Sequence, residues 1–235
     1  MRRIQSIFYT VFTFLYAPIF FLWQKCFRIS NKSANELGYH QISDFTEYNR
    51  YPEIFEFVKC IFRKDTEEIN ILSFGCSHGE ECFSLRKYFN NAWLTGYDIS
   101  KRNIEIAIKN NTDKCIYFTS LWEDINKNNY YDIIFAMSVL CRSPHTQNKM
   151  NCSKIYSFKQ FNDQIILLDK LIKVNGILVL YNANFLFTET AICQKYQPIA
   201  IPDYDSSGVI TKFDKYNKRL TNQNYIYSLF VKISK

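Results

Sequence analysis

The chain has 235 residues, of which 47% are hydrophobic and 17% aromatic, enough for one domain of ordinary size with a substantial core and an additional segment. Five of the seven net positive charges precede the first acidic residue, so the rest of the chain carries only +2. Strong nonspecific binding to nucleic acid needs clustered Lys and Arg side chains and is therefore not predicted. The eight cysteines include no Cys-x-x-Cys pair, which indicates neither a zinc site nor a disulfide framework and is typical of a reducing compartment.

The N-terminal segment contains 21 uncharged and mostly apolar residues, 4–24. As a helix rising about 1.5 Å per residue, it would extend about 31 Å, roughly the thickness of the hydrocarbon core of a bilayer. We therefore predict a hydrophobic membrane-anchor or interfacial helix in residues 1–30, with the membrane as a partner through residues 4–24. Pro18 would kink this helix, and its many aromatic residues equally suit the membrane interface or a helix packed on the domain or on another protein.

The next part of the chain, residues 31–66, is predicted to be a polar linker followed by a helical lead-in, and residues 67–235 form the predicted main domain. Pro52 precedes an apolar pattern that is typical of a helix with proline in its first turn. Arg50 stands just before this helix. By itself it would be assigned to the surface.

A strand, a glycine turn and a helix follow one another at the start of the main domain. The apolar run from Ile69 to Phe74 predicts a buried strand, and the glycines at 75 and 79 bracket a tight turn before a helix at residues 80–89. Ligands of open α/β sheets bind at the carboxyl ends of the strands, where such a loop brings N–H groups close to them. The spacing fits neither a dinucleotide G-x-G-x-x-G motif nor a P-loop.

Two glutamates, Glu80 and Glu81, begin this helix, and they would repel a pyrophosphate. They suit a cofactor with a cationic end, such as S-adenosylmethionine, which carries a sulfonium and an ammonium group. The run Gly75-Cys76-Ser77-His78-Gly79-Glu80-Glu81 resembles the G-C-S-x-G-E-E motif of CheR-type enzymes, within the class I S-adenosylmethionine-dependent methyltransferases. The alternative is a helix N-terminus whose glutamates only compensate the helix dipole.

This resemblance implies an S-adenosylmethionine site built around the loop. The predicted cofactor-binding residues in the loop and helix are Gly75, Cys76, Ser77, Gly79 and Glu80. Arg50 is added to them, because CheR-type enzymes carry an arginine ahead of the core domain that reaches the cofactor and substrate pocket. Their Phe-Phe-Arg signature is absent here. Methyl transfer requires no metal, and none is predicted.

Asp98 ends a second predicted strand, residues 93–97, and lies 23 residues after Gly75. An acidic residue at about this separation, at the tip of the second strand, binds ribose hydroxyls in nucleotide-binding α/β folds. Asp98-Ile99-Ser100 also resembles the Asp-Ile-Ser of the CheR motif, so Asp98 and Ile99 are predicted to bind the cofactor. Taken alone, Asp98 would be a cap or turn residue.

The third and fourth strands are predicted at residues 115–118 and 132–139. In the family the loop after the third strand borders the adenine, so Leu121 and Trp122 are predicted to contact it, although either side chain would also suit the core. Met137, near the end of the fourth strand, completes the predicted cofactor site.

The end of the fourth strand departs from the family pattern, because Met137-Ser138 stands where CheR-type enzymes place Arg-Asn. This edge faces the transferable methyl group in class I folds, so Ser138, Arg142 and His145 are the predicted acceptor-side catalytic residues. Arg142 would hold an acidic substrate group and His145 would accept a proton. The alternative for His145 is a solvated loop residue. The Asn-Pro-Pro-Tyr motif of amino-group methyltransferases is absent.

The remaining sequence continues the α/β pattern. It predicts helices at residues 101–109 and 158–172, a turn at Asn175-Gly176, and strands at residues 177–181, 197–201, 209–213 and 225–233. Residues 181–185, after the fifth strand, are predicted to close the cofactor side of the pocket. The predicted fold is the α/β, Rossmann-like class I methyltransferase fold: a seven-stranded, mostly parallel sheet with helices on both faces and an antiparallel closing hairpin.

These features predict an S-adenosylmethionine-dependent methyltransferase that transfers a methyl group in line to an unidentified acceptor, a carboxylate or other small polar group on a small molecule or protein. A noncatalytic adaptor of the same fold at a membrane is the alternative, since a fold alone does not define a function. A third possibility, an oxidoreductase that uses NAD, is disfavoured by the two glutamates. The need for cofactor favours a membrane-associated protein with a cytoplasmic catalytic domain.

Overall fold

The computed structural model describes residues 38, 40–62, 68–127, 129–202, 207–221 and 225–235. The predicted anchor, residues 4–24, lies outside these described residues. Residues 39–235 form one compact unit. Within the described part of the chain, no helix combines the length and the apolar character needed to cross a membrane.

A seven-stranded sheet lies at the centre of this unit. Its strands are β1 (Ile69–Phe74), β2 (Ala92–Tyr97), β3 (Ile116–Thr119), β4 (Tyr131–Met137), β5 (Ile172–Tyr181), β6 (Tyr196–Ala200) and β7 (Tyr227–Lys232). Their order across the sheet is β3-β2-β1-β4-β5-β7-β6. Strands β1 to β5 pair in parallel, whereas β7 is antiparallel to both β5 and β6. The predicted mostly parallel sheet with an antiparallel closing hairpin is therefore confirmed.

Helices cover both faces of the sheet, as predicted. The described α-helices are α1 (Pro52–Phe62), α2 (Glu80–Tyr88), α3 (Lys101–Asn110), α4 (Trp122–Ile125) and α5 (Phe158–Leu171). Helices α1, α2 and α3 bury apolar side chains in one cluster with Ile71 and Phe135. Helix α5 buries its apolar side chains in the other cluster, with Leu72 and Ile134. Neighbouring strand residues therefore alternate between the two clusters, as a parallel sheet covered on both faces requires.

Local side chains explain where two of these helices begin. The Ser100 hydroxyl accepts a hydrogen bond from the N–H of Asn103 at 3.3 Å and so caps α3. Ser157 and Gln160 form a capping box at the start of α5, in which each side chain bonds the backbone of the other. Both caps satisfy N–H groups that the helix itself leaves unbonded.

The strand predicted at residues 209–213 is wrong. This segment is irregular, and its contribution to pairing is limited to isolated bridges of Phe213 with Phe185 and Arg219. Phe213 is fully buried whereas Val209 is 93% exposed. The apolar pattern of the segment thus reflects the packing of one aromatic side chain, not a place in the sheet.

The turn predicted at Asn175-Gly176 lies inside β5 as an irregularity. Tyr131 pairs with Ile172 and Ile133 pairs with Ile177, so the register shifts between the two pairs. Asn175 takes a φ of 66°, which supplies the bend that the extra residues need. Helix α5 therefore passes into β5 without a separate loop.

The strand order reverses between β1 and β4, which are neighbours in the sheet although β2 and β3 separate them in sequence. At such a switch point the loops at the carboxyl ends diverge and leave a crevice for a ligand. The register pairs Phe74 with Tyr97 and Met137 with Tyr181, so the four strands end at similar levels. Their following loops, together with the segment before α1, form the candidate site.

Candidate functional site

The loop after β1 turns tightly at two glycines. Gly75 has a φ of 81° and Gly79 a φ of 96°, both in the left-handed region that side chains disfavour. A Cβ on Gly75 would lie 2.4 Å from Cγ2 of Val139, and one on Gly79 would lie 2.8 Å from the ring of Phe118. Backbone angle and space therefore both require glycine. The contact with Val139 also joins this loop to the loop after β4.

Hydrogen bonds attach the loop to the end of β2. The N–H groups of Gly75 and Cys76 both donate to the carbonyl oxygen of Tyr97, at 2.7 and 3.0 Å. The N–H of Ser77 donates to Oδ2 of Asp98 at 3.0 Å. Because these N–H groups have partners inside the protein, a direct bond from them to a cofactor stays a prediction.

Asp98 follows β2, and three donors fix its carboxylate. Besides the bond from Ser77, Oδ1 accepts hydrogen bonds from the N–H of Ser100 at 2.9 Å and from Nδ2 of Asn103 at 3.3 Å. Burial raises the pKa of Asp98, and these hydrogen bonds partly oppose that effect. A carboxylate has about four lone-pair positions, so Asp98 retains acceptor capacity for a ligand hydroxyl.

Glu80 and Glu81 place two more carboxylates at the start of α2. Oε1 of Glu81 accepts a hydrogen bond from the Ser73 hydroxyl at 2.7 Å. Burial raises the pKa of Glu81 to about 7, against the opposing effects of Ser73 and of the Arg50 charge. Oε2 of Glu80 is buried and has no hydrogen-bond partner among the described residues. Such an oxygen is costly to leave unsatisfied, and an ammonium group would satisfy it.

The three carboxylates surround one loop. Burial raises the pKa of the Cys76 thiol well above its usual value, and Cys82, Asp98 and Glu81 raise it further. The carboxyl ends of β1 and β2 thus present negative charge around a glycine turn, which fits a ligand with an amine and ribose hydroxyls better than a phosphate. In the described part of the chain, no group of three or more His, Cys, Asp or Glu side chains could hold a metal ion.

Arg50 lies at the edge of this region. Its guanidinium carbon is 5.1 Å from the ring centroids of both Phe45 and Tyr51. Its positive charge acts on Glu81 and opposes the rise in the pKa of that carboxyl. Contact of Arg50 with a cofactor stays a prediction.

The four apolar residues predicted to contact the cofactor all lie at the carboxyl edge of the sheet. Leu121, just before α4, is 52% exposed, whereas Met137 is buried as the last residue of β4. Trp122 packs edge-on against Tyr97 with the ring centroids 6.1 Å apart. Ile99 is half-buried beside Asp98. Of these side chains, Leu121 offers the most free surface to a ligand ring.

Ser138 follows β4 and forms a hydrogen-bonded triangle with Tyr51 and Asn182. Its hydroxyl lies 2.7 Å from the Tyr51 hydroxyl. Nδ2 of Asn182 donates to the Ser138 hydroxyl at 2.9 Å and to the Tyr51 hydroxyl at 3.4 Å. Burial raises the pKa of Tyr51, so its hydroxyl stays protonated at neutral pH. We call these three residues the hydroxyl triangle.

The other two predicted acceptor-side residues lie farther along the loop after β4. Arg142 is fully buried, and its backbone N–H donates to Oδ1 of Asn184 at 2.7 Å. His145 is exposed, although partial desolvation of its ring, together with the Arg142 charge, lowers its pKa. The structure therefore brings Ser138 into a polar cluster but does not bring Arg142 to the surface. A substrate contact of Arg142 or His145 stays a prediction.

Four further residues complete the ends of β4 and β5, and the predicted site residues do not include them. They are Tyr51, Asn182, Gln41 and Lys212. Nε2 of Gln41 donates to the carbonyl oxygen of Ser138 at 3.3 Å and to the thiol of Cys141 at 2.9 Å. Nζ of Lys212 donates to the carbonyl oxygen of Ala183 at 2.7 Å, and burial lowers its pKa to about 8. Two of the four have a sequence signal: Tyr51 stands next to Arg50, and Asn182 belongs to the segment 181–185 after the fifth predicted strand. Gln41 and Lys212 belong to no local motif.

Residues 45–154 match the family model of a methyltransferase domain. The matched segment includes α1 and the strands β1 to β4, with the loops that carry Glu80, Asp98 and Ser138. No curated protein matches the chain.

Solved methyltransferase structures resemble parts of the chain. A putative S-adenosyl-L-methionine-dependent methyltransferase from Methanococcus maripaludis is 18% identical, covers 66% of this chain and 64% of that chain, and has a TM-score of 0.39. The plantazolicin methyltransferase in complex with SAH is 17% identical over 57% of this chain and 49% of that chain, with a TM-score of 0.38. A putative methyltransferase from Listeria monocytogenes is 17% identical over 53% and 52%, with a TM-score of 0.35.

The matched part of the chain thus spans about half of the plantazolicin and Listeria structures and 64% of the Methanococcus one. At these identities and TM-scores the three structures do not define what this chain acts on. The match to a methyltransferase domain covers residues 45–154, a little under half of the chain, and the seven-stranded sheet that they begin is consistent with a Rossmann-like methyltransferase fold.

Proposed function

We propose that the chain is an S-adenosylmethionine-dependent methyltransferase whose acceptor offers a carboxylate or another small polar group. The observation that carries the proposal is the set of three carboxylates, Glu80, Glu81 and Asp98, at the carboxyl ends of β1 and β2. They lie inside the segment that matches a methyltransferase domain.

Each carboxylate has a distinct role in holding the cofactor. Glu80, with its buried and unsatisfied oxygen, accepts hydrogen bonds from the ammonium group, and Glu81 adds a second negative charge beside it. Asp98, oriented by its three donors, accepts hydrogen bonds from the ribose hydroxyls. The exposed side chain of Leu121 packs against the adenine.

Catalysis then depends mainly on positioning. S-adenosylmethionine supplies a methyl group that its positively charged sulfur already activates, so the protein aligns the acceptor and excludes water. The acceptor lies over the ends of β4 and β5, beside Ser138. A carboxylate acceptor needs no general base there, whereas a neutral hydroxyl or a protonated amine does, and His145 is the predicted base. Membership of the CheR-like subgroup rests on the run at residues 75–81 and on Asp98-Ile99-Ser100, whereas Met137-Ser138 differs from the Arg-Asn of that subgroup.

Calorimetry on the full-length chain tests the cofactor. We expect S-adenosylmethionine and S-adenosylhomocysteine to bind, and NAD to show no binding at the same concentrations. Glu80→Gln is expected to weaken S-adenosylhomocysteine binding about tenfold, because it removes the carboxylate charge that strengthens the hydrogen bond to the ammonium group. The matched control is Glu105→Gln, an exposed glutamate on α3 that should change nothing. Absence of S-adenosylhomocysteine binding, or preferential binding of NAD, would contradict the proposal.

A membrane attachment through residues 4–24, with the catalytic domain in the cytoplasm, is the second part of the proposal. The uncharged length of this segment supports it. We expect full-length protein to sediment with membranes after a high-salt wash, and a variant that lacks residues 1–30 to stay in the supernatant. Full-length protein that remains in the supernatant at every salt concentration would show that this segment is no anchor.

A further inference from the structure

The geometry points to the hydroxyl triangle of Tyr51, Ser138 and Asn182 as the site that recognises the methyl acceptor, by donating one hydrogen bond to an oxygen atom of a carboxylate. Neither Tyr51 nor Asn182 is among the predicted site residues. The inference rests on the proposed function, because it places the acceptor beside a methyl group carried by S-adenosylmethionine.

The first argument is the orientation of Asn182. Its Oδ1 accepts a hydrogen bond from the N–H of Val209 at 3.0 Å, and its own N–H donates to the carbonyl oxygen of Ser207 at 3.0 Å. These bonds fix which end of the side-chain amide faces the two hydroxyls. Nδ2 therefore donates to the hydroxyls of Ser138 and Tyr51, so each hydroxyl oxygen already accepts one hydrogen bond from the amide.

The second argument is a count of protons. The two hydroxyls carry one proton each, and the 2.7 Å bond between them uses one of these protons. Among the described residues, the hydrogen bonds of Tyr51 and Ser138 include no acceptor for the second proton. The two oxygens have four lone-pair positions, of which two take the hydrogen bonds from Asn182 and one takes the bond between the hydroxyls, so one proton and one lone pair remain for a ligand. The free proton suits a ligand group with oxygen lone pairs, and the charge around the triangle is what disfavours an ammonium group.

The third argument is the backbone at the tips of the two strands. Ser138 has a φ of 57° and Asn182 a φ of 56°, so both take the left-handed conformation directly after β4 and β5. This conformation is strained for a residue other than glycine, and it persists only where surrounding interactions stabilise it. Here the N–H of Ser138 donates to the carbonyl oxygen of Tyr181 at 2.8 Å, next to Asn182. The two strand tips thus hold the Ser138 hydroxyl in one place.

The fourth argument is the charge around the triangle. The guanidinium of Arg50 lies 5.1 Å from the centroid of the Tyr51 ring. The Cys141 thiol, in the loop after β4, lies within electrostatic reach of Lys212, Arg50 and Arg142. Cations from three separate segments therefore act on the loop after β4. They favour an anionic acceptor there, while Glu81 is the acidic side chain whose charge acts on Tyr51.

Binding of small probe molecules to the full-length chain saturated with S-adenosylhomocysteine tests this inference. Benzoate is the probe, with benzylamine of the same ring and opposite charge as its counterpart, and ligand-observed NMR gives the affinities. We expect benzoate to bind and benzylamine not to bind. Tyr51→Phe and Ser138→Ala are expected to weaken benzoate binding about tenfold, while S-adenosylhomocysteine binding changes less than about twofold.

The matched control is Tyr48→Phe, which removes the hydroxyl of an exposed tyrosine three residues away. It should leave benzoate binding unchanged. A merely structural role of Tyr51 would lower the melting temperature and the affinity for S-adenosylhomocysteine together, so a selective loss of benzoate binding supports recognition. Failure of the wild-type chain to bind benzoate, preference for benzylamine, or undiminished benzoate binding by both variants overturns the inference. Failure of the wild-type chain to bind S-adenosylhomocysteine would instead overturn the proposed function.

Discussion

The two sides of the site are built in opposite ways. On the β1–β2 side, the carboxylates of Glu80, Glu81 and Asp98 surround a glycine turn, and one short motif supplies two of them. On the β4–β5 side, neutral hydroxyl and amide groups are hydrogen-bonded to one another. The charges of Arg50 and Lys212, from segments far apart in sequence, act on the neighbouring loop after β4.

This difference agrees with the two tasks that we propose. The negatively charged side suits the cationic and hydroxyl groups of a cofactor, whereas the side with nearby cations suits an anionic acceptor. The two sides touch where Gly75 lies against Val139, so the loop after β1 and the loop after β4 pack directly against each other. A substitution that acts on one side and leaves the other unchanged would support this division of tasks, and one that acts equally on both would contradict it.

The largest expected effect is on the cofactor side. Asp98→Ala removes the carboxylate that we assign to the ribose, together with the acceptor that holds the N–H of Ser77. With two charge-assisted hydrogen bonds lost, the affinity for S-adenosylhomocysteine should fall roughly 100-fold in calorimetry. Asp163→Asn on α5, an exposed carboxylate paired with Lys159, is the control and should retain full affinity. Near-normal binding by Asp98→Ala would remove Asp98 from the site.

The contact between the two sides should show in stability. Gly75→Ala forces a left-handed φ on alanine and places its Cβ against Val139, so the free energy of unfolding should fall by about 2 kcal/mol or more in urea titrations. Val139→Ala in the same chain should restore part of this loss by removing the closest clashing atom, Cγ2, although the Cβ that alanine retains still lies 2.8 Å away. The part due to the backbone angle should remain. Equal stability of Gly75→Ala and the wild-type chain would show that the two loops do not pack as described.

The raised pKa of Glu81, about 7, gives the cofactor side a pH dependence. Only the ionised carboxylate attracts an ammonium group, so the affinity for S-adenosylhomocysteine should rise up to about tenfold between pH 6 and pH 8. The ligand-free protein should respond in the opposite direction. The folded state holds the Glu81 proton more tightly than the unfolded state does, because the pKa of Glu81 is about 7 when folded and 4.5 when unfolded. The contribution of Glu81 to stability therefore falls as the pH rises from about 4.5 to about 7.

Glu81→Gln separates this group from other titrating side chains. In that variant both the rise in affinity and the loss of stability attributed to Glu81 should disappear. Isothermal titrations and thermal melts at matched pH values measure the two effects. An unchanged pH profile in Glu81→Gln would mean that another group is responsible.

The smallest expected effect belongs to the acceptor side. His145 is exposed on the loop after β4, away from the three carboxylates in sequence and in the described hydrogen bonds. His145→Ala should therefore change the affinity for S-adenosylhomocysteine by less than about twofold. A large loss of cofactor affinity would place His145 on the cofactor side instead.

Much of the fold could be predicted because its signals are local. Continuous apolar runs identified β1 and β4, and the helices α2, α3 and α5 lie within one or two residues of their predicted bounds. The strand predicted at residues 209–213 is wrong because an apolar residue such as Phe213 can be buried by a loop as well as by a strand. Periodicity alone does not distinguish the two.

By itself the sequence determined the loop at residues 75–81, the acid at the end of the second strand and the alternation of strands and helices. These features depend on backbone angles, spacing and charge within short segments. Only the tertiary structure decided that Tyr51, Ser138 and Asn182 meet, since 87 residues separate the first two and 44 the last two. Parallel strands bring distant loops to one edge, and no local pattern records which side chains will face each other there. The acceptor side therefore becomes visible only when the sheet is assembled.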